Sequence, residues 1–268
     1  MSGPRFMNSG PREWDAKAYD QISDPQYEWG LEVLDRLAPG AGETVIDAGC
    51  GSGRVTERLL ERLPEGQVIG VDGSAEMIKV AGERFGGEGR VTLIVSDLLE
   101  LAPGLLERNQ APSAVDAVFS TATFHWISDH GLLFSRIHSV LQPGGRLVAQ
   151  CGGKGNVAEH ARAIATVASR PEYVGHFEGM TILWNFASPE ETEERLRRAG
   201  FYEVFCWLED KPVQPENPFE FTTTVTMGPH LSRLPAEKRG PFAEAVLELS
   251  PDPLVLNYVR LNIDARSA

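Results

Sequence analysis

Three carboxylates end apolar runs in the first hundred residues: Asp47 in "TVIDAG", Asp72 in "VIGVDGS" and Asp97 in "LIVSDLL". The first leads into Gly49, Gly51 and Gly53, at alternate positions, and these pass straight into the amphipathic pattern "GRVTERLLERL". A tight turn from strand to helix sets a ligand against backbone N–H groups at a helix N-terminus. Glycine lets the backbone come that close. Further on, "STATFHWISDH" carries His125 and Trp126, an imidazole that titrates near neutrality beside an indole N–H donor.

The dinucleotide fingerprint G-x-G-x-x-G fits this loop poorly. Counted from Gly49, the third glycine site holds Arg54; counted from Gly51, it holds Thr56. A side chain would then stand where close helix–sheet packing requires none, which leaves a nicotinamide dinucleotide site as the weaker alternative.

Alternating elements must position these groups. "TVIDAG", "QVIGVD", "RVTLIVSDLL", "AVDAVFSTATFHWI" and "RLVAQCG" read as strands with nearly continuous apolar faces. Between them lie helix patterns, among them "SAEMIKVAGERF" with Ser74 as its cap and "DHGLLFSRIHSVL" with one apolar stripe. Such a βαβα order predicts a parallel sheet covered on both faces. Beyond Gly153 the rhythm changes. "NVAEHARAIATVASR" starts with a capping-box pattern, and "SPEETEERLRRAGF" has Ser188 as cap, Pro189 at the first helical position and Gly200 past the end. "FYEVFCWLED" and "LVLNYVRLNID" read as two more strands, separated by short helices broken at prolines.

Composition bounds the function. The chain has 268 residues, is 42% hydrophobic and carries a net charge of −13, a balance opposed to non-specific phosphate-backbone binding. Cys50, Cys151 and Cys206 fit neither a zinc spacing nor a disulfide framework, and His130 and His138 read as helix-surface residues with no metal spacing. No metal is expected. The opening "MSGPRFMNSGPREWDAKAY" lacks the apolar core of a signal peptide and no run reaches membrane-spanning length, so a cytoplasmic protein without membrane partners is expected. Oligomeric state is left open.

The segment "VIDAGCGSG" resembles the D-x-G-x-G-x-G signature of class I S-adenosylmethionine-dependent methyltransferases. The resemblance continues through the acids Asp72 and Asp97 and the turn "LQPGG", and covers residues 44–150 well. It implies an α/β, Rossmann-like, doubly wound sheet of seven mostly parallel strands with a helical lid. S-adenosyl-L-methionine is the implied cofactor and S-adenosyl-L-homocysteine the product. Gly49, Gly51 and Gly53 would pass close to the cofactor, where a Cβ would clash. Asp72, followed by Gly73, would accept both ribose hydroxyls. Asp97 would accept from the adenine amine, with Leu98 along the ring and Met77 on its other face. Asp47 would orient the loop and the cofactor's ammonium, Thr121 would run beside the cofactor, and Pro143–Gly145 would form a turn with no catalytic contact.

"FHW-x-x-DH" is similar to the trans-aconitate methyltransferase group, which esterifies small carboxylic acids, and juvenile hormone acid methyltransferases have a related segment. "REWDAKAYD" is similar to that group's cofactor-covering start. The resemblance makes His125 and Trp126 the catalytic candidates for a small-molecule acceptor. His125 would orient a carboxylate when charged or take a proton when neutral. The alternative is a hydroxyl, nitrogen or carbon acceptor in natural-product or lipid metabolism. No nucleic-acid partner is expected, since the Asn-Pro-Pro-Tyr signature does not follow the fourth strand.

The expected organisation is one domain. Residues 1–40 form a helical segment over the cofactor site, 41–153 the cofactor-binding core and 154–187 a lid. Residues 188–268 complete the sheet around a helical insertion at 216–250. Tyr173, His176, Phe177, Trp184 and Phe186 are candidates to line an apolar pocket or to pack the lid onto the sheet, and Arg233 and Arg260 are candidate anion partners.

Overall fold

The computed structural model describes residues 24–180 and 184–268, so "REWDAKAYD" lies outside the described residues. Seven strands make one sheet in the order β3-β2-β1-β4-β5-β7-β6. They are β1 (Thr44–Ala48), β2 (Gln67–Asp72), β3 (Val91–Val95), β4 (Val115–Thr121), β5 (Leu141–Gly152), β6 (Phe201–Val213) and β7 (Leu256–Ser267). β1 to β5 run parallel; β7 inserts antiparallel between β5 and β6. This is the expected Rossmann-like, doubly wound, mostly parallel sheet.

Strand alternation builds the two layers. Val45, Val68, Ala117, Phe119 and Val148 meet α1 (Asp24–Leu37) and α2 (Arg54–Glu61) through Leu34, Leu37 and Leu59. Ile46, Ile69, Val118 and Leu147 face the other layer, where Leu106 of α4 (Pro103–Arg108), Phe134 of α5 (His130–Val140) and Leu196 of α7 (Pro189–Arg198) pack. Between these, α3 (Ala75–Phe85) follows β2, its N-terminus capped by Ser74 Oγ accepting from Met77 N, as the sequence predicts. α7 begins with a full capping box: Ser188 accepts from Glu191 N, and the Glu191 carboxylate accepts from Ser188 N.

A second core lies outside the sheet. Ile164 and Val167 of α6 (Ala158–Ala168) pack with Tyr173, Met227, Phe242 and Val246, the last two on α10 (Ala236–Glu248). Short α8 (Pro218–Phe221), a π-helical turn at Thr222–Thr226 and α9 (Gly228–Leu231) link it to β6. Pro241 sits inside α10 and does not break it, unlike the sequence expectation.

Three local readings change. "AVDAVFSTATFHWI" is not one strand: β4 stops at Thr121, and Phe124–Trp126 form a 3-10 turn. Asn156 does not cap α6. Its Oδ1 accepts from Val259 N of β7 at 3.0 Å, and α6 starts after Val157, a β-branched residue held at φ +45°. His130 is buried, with Nε2 2.9 Å from the Phe124 carbonyl, and His138 lies edge-on to Phe201 at 5.2 Å; both serve packing. No described helix is long and apolar enough to cross a membrane, and no described cluster of His, Cys, Asp or Glu could hold a metal ion.

Candidate active site

The glycine loop leaves β1 with Gly49, Gly51 and Gly53 all at left-handed φ, +87°, +54° and +86°. Gly49 N and Cys50 N both donate to Val71 O of β2, at 2.7 and 3.2 Å, which folds the loop over that strand. The three glycines are needed for different reasons. A Cβ on Gly49 would lie 2.1 Å from Thr123 Oγ1, and one on Gly53 would lie 2.8 Å from the Phe85 ring. Of the three, a Cβ on Gly51 alone meets no described atom nearer than Met77 Sδ at 4.0 Å. The expectation that all three make room for a ligand therefore narrows to Gly51. Its neighbours are glycine because protein side chains occupy the space.

Asp72 ends β2 and ties that end of the site together. Oδ2 accepts from Gly51 N at 2.9 Å and Oδ1 from Ser74 N at 2.8 Å. Gly73 lies between these partners. Asp47 is buried and accepts from Thr56 Oγ1 at 2.6 Å. Burial pushes its pKa up to about 7, against the Thr56 hydrogen bond and with help from the Asp72 charge. Asp97 caps the turn after β3, Oδ1 accepting from Leu99 N at 2.9 Å, and Leu98 is buried beside it. Thr121 ends β4, where Gly30 of α1 comes close to both it and Val55 of α2. α1 thus runs over the loop, with the Arg54 guanidinium 4.5 Å from the Tyr27 ring centre.

The other half of the site is built on the 3-10 turn after β4. Ala122, at φ +54°, turns the chain out of the strand while its N–H donates to Gln150 O at 2.8 Å. His125 is buried, and its Nδ1 accepts from Gly152 N at 3.2 Å. In the neutral ring the proton therefore sits on Nε2. Burial first, then the Arg260 and His130 charges, holds the His125 pKa well below the ordinary value. Of the two expected states of this ring, charged or neutral, burial favours the neutral one, and the Gly152 N–H makes Nε2 its donor.

Trp126 lies beside His125 at 5.0 Å between ring centres, Phe186 at 5.8 Å, and Trp184 meets Trp126 at 6.1 Å. Asn185 holds this aromatic segment down. Its N–H donates to His125 O at 2.9 Å, and its Nδ2 to Ser128 O at 3.0 Å. Phe186 approaches the sheet only because Gly152 has no side chain; a Cβ there would sit 2.6 Å from the ring. Beyond these rings opens a cavity of about 400 Å³, lined by Gly155, Asn156, Ala161, Ile164, Trp184 and His230 among others.

Of the expected pocket residues, Trp184 and Phe186 line this cavity. Tyr173 and Phe177 instead pack against Phe242 in the second core, where the expected lid lies, and His176 Nε2 lies 3.2 Å from Lys238 Nζ. Arg233 is exposed and reaches the Glu178 carbonyl. Arg260 pairs with Gly152 across the β5–β7 ladder, buried, its guanidinium 4.8 Å from the Trp29 ring centre. Gly152, Asn156 and Asn185 escape sequence reasoning; each acts through a partner from a segment distant in the chain.

Residues 45–145 match the family model of a methyltransferase domain. With the sheet order and the glycine loop, this gives the chain a methyltransferase domain in the Rossmann-like fold of class I S-adenosylmethionine-dependent methyltransferases. Within that class it is similar to trans-aconitate 2-methyltransferases. That of Acidovorax ebreus (strain TPSY) is 33% identical over 52% of this chain and 49% of its own length. That of Variovorax paradoxus (strain S110) is 32% identical over 64% and 63%. The chain thus matches about half the length of the first of these curated relatives and under two thirds of the second. Among solved structures, geranyl diphosphate methyltransferase in complex with S-adenosylmethionine superposes with a TM-score of 0.54 at 18% identity, over 99% of this chain and 100% of that one. Haemonchus contortus phosphoethanolamine N-methyltransferase 2 gives 0.57 at 22% identity, over 94% and 56%.

Proposed function

We propose that this chain methylates a small molecule from S-adenosyl-L-methionine, and that the atom methylated is a carboxylate oxygen. The donor supplies an electrophilic methyl on a sulfonium centre. The residues fit such a group: among the described residues only Met77 Sδ stands within 4.0 Å of a Cβ built on Gly51, and the Asp72 carboxylate stands at the same loop. Asp47, Asp97, Leu98, Gly73 and Thr121 stand around the same end of the sheet and complete the proposed donor site. Asp47 would face the donor's ammonium, Asp97 the adenine amine and Leu98 the adenine ring.

The observation that carries the acceptor reading is the Gly152 N–H donated to His125 Nδ1. It uses the imidazole's one lone pair, so His125 has a proton to give and none to take. Such a ring orients an acceptor that is already anionic, with the Trp126 N–H as a second donor. A carboxylate oxygen forms the new O–CH₃ bond as the S–CH₃ bond breaks, its electron pair returning to sulfur. No proton is released and no base is needed. The protein's share is alignment of acceptor and methyl at contact distance.

The test is the pH–rate profile of the purified chain on a panel of small acids, phenols and amines. A carboxylate acceptor gives rates that stay level from neutral to moderately alkaline pH, base-labile methyl esters as products, and in His125→Asn a raised KM with kcat changed only a few-fold. Base-stable ethers or N-methyl products, with kcat collapsing in that variant, would overturn the acceptor assignment and keep the methyltransferase.

A further inference from the structure

The cavity under the lid is not shaped for a polyanion. Its walls are Ala158, Ala161, Ile164 and Ala165 of α6 on one side, and Trp184 and Phe186 on the other. Among the described residues the polar side chains on it are Asn156 and His230, and none of those lining it is lysine or arginine. Asn156 is already committed through Oδ1 to Val259 N. At interior packing density a cavity of about 400 Å³ holds about 15 non-hydrogen atoms.

The cavity adjoins the His125–Trp126 end of the site and shares an aromatic wall with it. Phe186 lines the cavity and lies 5.8 Å from the His125 ring; Trp184 lines it and lies 6.1 Å from Trp126. At that end stands the His125 Nε2 donor, with Trp126 beside it and buried Arg260 on the strand position facing Gly152. The site therefore has one polar pole and one apolar chamber. A single carboxylate can be met at the pole. Second and third carboxylates would lie among alanine, isoleucine and ring faces, desolvated and, among the described lining residues, without a counter-charge.

We infer that the acceptor is a monocarboxylic acid with an apolar body, a chain or ring system of about ten carbons, whose body fills the lid cavity. This rests on the methyltransferase reading and narrows its substrate class away from tricarboxylates.

Calorimetry on the whole chain tests it, with decanoate, 4-phenylbutyrate and citrate titrated in the presence and absence of saturating S-adenosylhomocysteine. Decanoate or 4-phenylbutyrate should bind at least tenfold more tightly than citrate. Ala161→Phe, which puts a ring into the cavity from a half-exposed helix position, should weaken that binding at least tenfold and leave S-adenosylhomocysteine affinity unchanged. Ala158→Leu is the milder second variant and should show the same pattern to a smaller degree. Citrate binding as tightly as decanoate and 4-phenylbutyrate overturns the inference. So does apolar-acid binding indifferent to both variants, or no acid binding to a chain that does bind S-adenosylhomocysteine. Apolar acids bound in a variant-sensitive way by a chain that fails to bind S-adenosylhomocysteine would support the cavity assignment and sink the methyltransferase reading instead.

Discussion

The glycine-loop half and the lid half of the site are built by different means. Around the loop, positions are set by backbone: Gly49 N and Cys50 N on Val71 O, Gly51 N and Ser74 N on Asp72. The first three of those contacts join segments separated by about one βα unit, and the last is local. Around His125, each contact joins distant segments. Gly152 N meets Nδ1, Asn185 N meets the His125 carbonyl, and Phe186 lies over Gly152. A ligand common to a whole fold class can be held by conserved geometry of the main chain. A ligand particular to one protein has to be met by side chains that several separate segments bring together.

The comparison is broken most severely at Gly49. Alanine there sets a Cβ against Thr123 at 2.1 Å and at φ +87°, so strain and overpacking together should cost about 4 kcal/mol. Gly51→Ala meets no described atom nearer than 4.0 Å and should lose only about 1–2 kcal/mol from its left-handed backbone, while still blocking the donor. Thermal melts would show the first variant far less stable than the second; equal losses would contradict the division of roles among the glycines.

Asp72→Ala removes a charged acceptor from two backbone N–H groups and from the donor. S-adenosylhomocysteine affinity should fall by about 2–4 kcal/mol, more than tenfold, as read by calorimetry. An unchanged affinity would remove Asp72 from the donor site.

The lid half should respond to acid. Burial first, then the His230 charge, lowers the His160 pKa to about 4, its Nε2 lying 2.9 Å from Thr226 Oγ1. The unfolded ring binds a proton more readily than the folded one. This contribution to stability is therefore full above the ordinary histidine pKa and is lost as pH falls towards 4, by about 2–3 kcal/mol. Hydrogen exchange should show α6 and α10 opening in mild acid before the parallel strands. His160→Gln should flatten that dependence; sheet and lid opening together would count against a separate lid core.

The smallest effect sharpens the donor side. Asp47 holds a proton up to about pH 7 in the folded chain, and a cationic donor favours its charged form. Donor affinity should then rise with pH up to about 7 and level off, by about tenfold per unit at most, with proton uptake by the buffer visible in calorimetry. Thr56→Val deletes the hydrogen bond that favours the carboxylate and should push the plateau to higher pH. Binding without proton release would show that Asp47 does not face the donor's charge.

How far the sequence could be read follows the same division. Asp47, Asp72 and Asp97 each end a strand of a parallel sheet, and such strands deliver their C-terminal residues to one edge whatever the rest of the chain does. The Ser74 and Ser188 caps were readable because a cap and its partner lie within one helical turn. Asn156 looked like a cap for the same reason and was not one. A strand from the far end of the chain, β7, offered its amide a stronger claim than the helix beginning two residues away. His130 looked exposed because helical periodicity does not say which neighbour will cover a face, and the Phe124 carbonyl reaches it from the preceding turn.

The sequence by itself determined the sheet and the loop, because these depend on local pattern and on backbone freedoms that only glycine has, and the family resemblance of that loop supplied the proposed donor. The tertiary structure decided which nitrogen of His125 carries the proton. It also sorted the aromatics, giving Trp184 and Phe186 to the cavity and Tyr173 and Phe177 to the second core. The Gly152 amide that fixes that proton lies 27 residues from the ring it meets. A contact between segments so far apart is chosen by the packing of the whole chain, and no spacing within either segment encodes it.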